Sequence, residues 1–224
     1  MRGDLGALLL LVAAVCLPAA ERTGIAVDLA GWVAKPSGST DRVAPGSGDP
    51  DSAGTSLCGL VVVRIEPATF GWPAIGLGAM FGWSSDGENA DIAANASWVS
   101  ATWGWSPDPG GRLLLAGGMA AHAGNIQVET RGPPSDEREY TDVTPAIALA
   151  ARWRFAERWT AAGELHAGGT SERRLGSAQV DLRWAANARW SVFAGWRGYT
   201  MAIGPDGETR LALHGLLVGL GYDF

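Results

Sequence analysis

Bulky apolar residues recur at every second position through most of this chain, and the residues between them are small or polar. In the closing stretch "GLLVGLGYDF", Leu216, Val218, Leu220, Tyr222 and Phe224 fall on one face of an extended strand. Gly215, Leu217, Gly219, Gly221 and Asp223 fall on the other. The same period returns upstream. Ile25, Val27, Leu29 and Val33 oppose Ala26, Asp28, Ala30 and Trp32, and Val61, Val63 and Ile65 oppose Val62, Arg64 and Glu66. Ile75, Leu77, Ala79, Phe81 and Trp83 oppose Gly76, Gly78, Met80 and Gly82, while Val99, Ala101, Trp103 and Trp105 oppose Ser100, Thr102 and Gly104. Ile147, Leu149, Ala151, Trp153 and Phe155 oppose Ala148, Ala150, Arg152 and Arg154, and Ala178, Val180, Leu182 and Trp184 oppose Ser177, Gln179, Asp181 and Arg183. With weaker segments at 112–124, 158–169 and 189–202, the pattern predicts about ten strands, or about eight if the weak segments belong to loops.

Numbered alternately up and down, the strands sort their connections into two kinds. One set, 36–56, 84–92, 125–142, 170–174 and 204–208, is rich in Gly, Pro, Ser, Asp and Glu and in places long. The other set, 67–73, "SPDPGG" at 106–111, "AER" at 156–158 and "AANAR" at 185–189, is short. Long connections on one rim and tight turns on the other match an antiparallel, up-and-down transmembrane β-barrel. Closure removes the unpaired strand edges that lipid could not satisfy. A soluble ligand-carrying barrel would place its apolar residues inside; here the charges choose the bulk-poor face.

Composition agrees with one ordered domain: 47% of residues are hydrophobic and 18% charged. The net charge of -6 and the lack of a basic run exclude nucleic acid as the expected partner. Arg2 followed by the apolar run Leu5 to Ala20 reads as a secretory signal peptide over 1–20, too short to cross a bilayer, leaving the barrel domain as 21–224. Loss of Cys16 with that leader leaves Cys58 alone, so no disulfide framework is expected and Cys58 reads as a small buried hydrophobe.

The chain holds 11 Trp, and the aromatics cluster at strand ends. Trp72, Trp103, Trp105, Trp153, Phe155, Trp159, Trp184, Trp190, Tyr222 and Phe224 all adjoin the short-turn rim. A ring at one depth is the girdle expected where hydrocarbon meets headgroups, since indole and phenol rings are apolar in body and polar at one edge. Phe81, Trp83 and Trp196 form a sparser set toward the other rim. Tyr222 and Phe224, with apolar residues at alternate positions before them, make the final segment resemble the C-terminal strand of Gram-negative outer-membrane β-barrel proteins. That resemblance implies residence in the outer membrane, contact with its lipid, and recognition by the barrel assembly machinery through Tyr222 and Phe224; the barrel is expected to be a monomer. It implies no activity: the reading is a small pore, or a surface scaffold whose loops at 36–56 and 125–142 make contacts outside.

Asp28, Arg64, Glu66, Arg152, Glu164, His166, Asp181, Arg183 and Arg197 carry inward parity. Pairing across the "AER" turn sets Arg152 a diagonal step from Glu164, with Asp181 and Arg197 on the next strands, a ladder that reads as a lumen salt-bridge network or a polar constriction. The alternative is a hydrolase built on "GELHAGG", where Glu164 and His166 share a face as an acid orienting a general base would. This pair resembles the acid-x-His of the omptin proteases, although the chain is short for omptin-length strands. Lipid A deacylases use a His-x-Ser pair, which neither His122 nor His166 provides. His122 has the parity to share the lumen, whereas His214 has lipid-face parity. No metal site and no cofactor are implied.

Overall fold

The structure, a computed structural model, describes residues 24–40, 55–66, 72–86, 90–130, 137–171, 173–203 and 209–224. The leader assigned to 1–20 lies outside them. Among the described residues ten strands run in order: β1 (Gly24–Thr40), β2 (Ser56–Glu66), β3 (Ala74–Asp86), β4 (Ala90–Trp105) and β5 (Leu113–Thr130), followed by β6 (Glu137–Ala156), β7 (Trp159–Thr170), β8 (Arg173–Ala185), β9 (Trp190–Ile203) and β10 (Thr209–Asp223). Each pairs antiparallel with its sequence neighbours, and β1 pairs with β10, so the sheet closes on itself. The weak segments form β5, β7 and β9, which decides ten strands over eight. At the seam, the Phe224 amide donates to the Ile25 carbonyl at 2.9 Å.

Because side chains alternate across a strand, closure turns the sequence pattern into an inside and an outside. The outer face carries Leu29, Val99, Met119, Ile147, Leu165, Val180 and Leu216, all exposed. The inner face carries the buried residues, apolar and charged alike. His214 is on the outer face, exposed, on β10.

Two features differ from the sequence expectation. Several polar connections are partly strand: β5 and β6 stay paired out to Glu129 opposite Glu137, and β3 and β4 out to Asp86 opposite Asp91. Ladder pairing satisfies backbone groups whatever the side chains are, so polar composition alone did not mark where the strands stop. The strands consequently reach 20 residues in β6, longer than the apolar segments suggested.

The lumen is also not uniformly small and ionised. Toward the rim of the longer connections it is packed with Trp32, Cys58, Leu60, Met80, Leu175, Leu211, Leu213 and Leu217. The bulky inward residues are spread over many strands, three of them on β10, and closure brings them together. Trp32 lies opposite Leu217 on β10 and Cys58 on β2. A cavity of about 420 Å³ occupies the short-turn half, with Arg64, Glu66, Trp72, Trp98, Glu164 and Arg183 among the residues lining it.

Candidate functional site: the charged lumen and its histidine chain

The inward positions of β1, β2 and β8 bring Asp28, Arg64, Asp181 and Arg183 together from strands far apart in sequence. Arg64 Nη1 and Arg183 Nη2 both donate to Asp28 Oδ2, at 2.7 and 2.8 Å, and Arg183 Nη1 donates to Asp28 Oδ1 at 3.0 Å. Arg183 Nε donates to Asp181 Oδ1 at 2.7 Å, and Gln179 Nε2 donates to Asp181 Oδ2 at 2.9 Å. Gln179 in turn accepts from Arg197 Nη1 at 2.7 Å. The Arg183 guanidinium lies 4.4 Å from the centre of the Phe193 ring. Asp28 is thus a buried carboxylate held by two guanidinium groups, an arrangement that lets charge persist away from bulk water.

The diagonal step from Arg152 to Glu164 is not made. Arg152 Nη1 donates instead to Glu66 on β2, at 2.5 Å. On β7 and β6, Glu164 lies opposite Ala150 and Arg152 opposite Ala162. The long arginine side chain reaches a carboxylate on another wall of the closed barrel, which pairing across one hairpin does not reveal.

Glu164 bonds its own strand neighbour. His166 Nε2 is 2.8 Å from Glu164 Oε1, and His166 Nδ1 is 2.8 Å from His122 Nε2. With Glu164 ionised and both imidazoles neutral, the carboxylate can only accept, so His166 carries its proton on Nε2 and accepts at Nδ1. His122 then donates from Nε2, and its Nδ1 is the bare acceptor at the end of the chain; that atom is buried with no partner. Trp98, opposite His122 on β4, stacks on its ring with centroids 5.8 Å apart and planes 17° apart. This arrangement can hold a proton and orient an imidazole. Both nitrogens of His166 are engaged, and among the described residues no hydroxyl or thiol is hydrogen-bonded to either ring. Nor does any group of three metal-ligating side chains there suit a metal ion.

Most of the girdle residues sit on the outer face at the short-turn rim. Trp103, Trp105, Trp153, Phe155, Trp159, Trp184, Trp190 and Phe224 are exposed there, and Tyr222 packs edge-on between Trp190 and Phe224 with centroids 4.7 Å from each. Trp72, just before β3, is exposed at the same rim but lines the mouth of the lumen cavity. Phe81 and Trp196 are exposed nearer mid-strand, while the Trp83 side chain lies outside the described residues. Among the described side chains, Trp32, Trp98, Phe193 and Tyr199 are the aromatics that sequence reasoning did not assign to a site. All four are buried in the lumen, and the available signal was their parity, opposite to that of the girdle.

No protein-family model matches the chain, and no curated protein matches it. Solved structures do. The outer membrane protease OmpT from Escherichia coli matches with a TM-score of 0.51 and 10% identity over 91% of this chain and 97% of that one. The β-domain of the Bordetella autotransporter BrkA matches with a TM-score of 0.50 and 12% identity over 91% of this chain and 100% of that one. The fold is that of the Gram-negative outer-membrane β-barrels. The neisserial surface protein NspA matches at a TM-score of 0.40 and 10% identity over 91% and 98% of the two chains. At these identities the likeness reaches the fold and stops there, because one barrel architecture hosts many activities.

Proposed function

We propose that this chain is an integral protein of a Gram-negative outer membrane, monomeric, with its short turns toward the periplasm, and that its lumen is closed to permeation. It then serves as a surface scaffold rather than as a pore. One observation carries this reading: Trp32, Cys58, Leu213 and Leu217 have no exposed surface and fill the lumen between the cavity and the far rim. A packed apolar layer excludes water and ions. The partners on this reading are outer-membrane lipid around the girdle, the barrel assembly machinery handling Tyr222 and Phe224 of the final strand, and a ligand of the polar connections at 36–56 and 125–142. The hydrolase built on Glu164 and His166 has less support, since both nitrogens of His166 are already bonded within the chain of groups described above.

Planar-bilayer recording tests the closed lumen. The intact protein should give no unitary conductance, and truncating Trp32 and Leu217 together to Ala should open discrete steps. Steps of equal size with and without the truncation would contradict the reading.

A further inference from the structure

Four of the five buried side-chain polar atoms that lack a hydrogen-bond partner among the described residues belong to neighbouring lumen side chains. They are Arg197 Nε, Trp32 Nε1, Tyr199 Oη and His122 Nδ1. Their residues are 3%, 0%, 2% and 1% exposed, which puts all four beyond the reach of bulk solvent. Arg197 and Tyr199 share the inward face of β9, two residues apart. The Arg197 guanidinium lies 5.9 Å from the Trp32 ring centre and 4.7 Å from that of Trp98, and Trp98 stacks on His122. His122 and Tyr199 close the group with ring centroids 6.4 Å apart.

Arg197 also differs from the other lumen arginines in its bonding. Arg64 and Arg183 donate to Asp28, Arg183 also to Asp181, and Arg152 to Glu66. Among the described residues, Arg197 donates to the neutral oxygens of Gln179, at 2.7 Å, and Ser177, at 3.4 Å, and to no carboxylate. Glu164, whose field it feels, is hydrogen-bonded to His166 instead. A buried guanidinium without a bonded anion is unfavourable, and each orphaned donor beside it adds to the cost. Three of the four orphans are donors or hydroxyls, one of them on the cation itself.

We propose that this cluster is a binding site for a small monovalent anion of halide size, held by Arg197 Nε–H and Trp32 Nε1–H. The Tyr199 hydroxyl is the adjustable member: its rotor can turn to the ion or to His122 Nδ1, the acceptor end of the histidine chain. Gln179, which lines the periplasm-side cavity and bonds Arg197, marks the route of entry. The site does not depend on whether the lumen conducts.

The test uses the full chain in detergent, melted in a bromide series against gluconate at equal ionic strength. Bromide should raise the melting temperature saturably by about 2 °C or more. Trp32→Phe should shift the half-saturating bromide concentration several-fold upward, and Arg197→Gln should remove the response. Crystals soaked in bromide should show an anomalous peak against Arg197 Nε, which decides the matter if the Arg197 variant fails to fold. Identical melting in bromide and gluconate, a response unchanged in Trp32→Phe, or a site filled by water alone would overturn the proposal.

Discussion

Asp28 illustrates how one side chain can anchor a barrel interior. It is 4% exposed and takes three hydrogen bonds from Arg64 on the adjacent β2 and Arg183 on β8, three strands away round the barrel. Asp28→Ala would leave two guanidinium groups facing each other in the lumen without their shared anion. Removing one partner of a buried ion pair costs about 3–5 kcal/mol, so the variant should unfold at markedly lower denaturant than the wild type. A loss under about 1 kcal/mol would mean that solvent screens the cluster. Parity alone placed Asp28, Arg64 and Arg183 on the inner face. Which carboxylate each arginine meets was not legible, because closure distance and side-chain reach set it, as Arg152 shows by bonding Glu66 rather than the nearer-in-sequence Glu164.

The elements themselves were more legible than their ends. Gly-to-bulk alternation in β3 and β10 sets strand, face and register together, since a slip of one residue would turn Leu216, Val218 and Leu220 into the lumen. The short turn between β4 and β5 is written as plainly. Asp108 accepts the amides of Leu113 at 2.8 Å and Arg112 at 3.0 Å, and its own carbonyl accepts the Gly111 amide at 3.1 Å. Gly111 sits at φ 61, a left-handed conformation that glycine adopts without steric cost. The Leu113 and Arg112 amides hold the Asp108 carboxyl below its usual pKa. A depressed pKa stabilises the turn above the ordinary carboxylate range, and that contribution disappears as pH falls through the lowered value. Protection factors of the Leu113 and Arg112 amides should therefore fall on acidification in the wild type and stay flat in Asp108→Asn. Equal pH dependence in both would show that the cap does not hold the turn. What composition hid was the continuation of strands into polar stretches, where backbone pairing carries on after the apolar pattern has ended.

For the whole molecule, one orientation governs the rest: apolar side chains outward, on the proposed function into hydrocarbon, with the ionised groups and the packed plug inside. The girdle, the paired lumen charges and the closed seam all follow from it, and an inverted barrel would expose Asp28 and Arg197 to lipid. Spin-label accessibility along β10 tests it most directly, with Cys58 replaced by Ser and single labels placed from 215 to 221 in lipid vesicles. Collision with oxygen should peak at 216, 218 and 220 and drop at 217, 219 and 221. Peaks at the odd positions, or no alternation at all, would contradict the account.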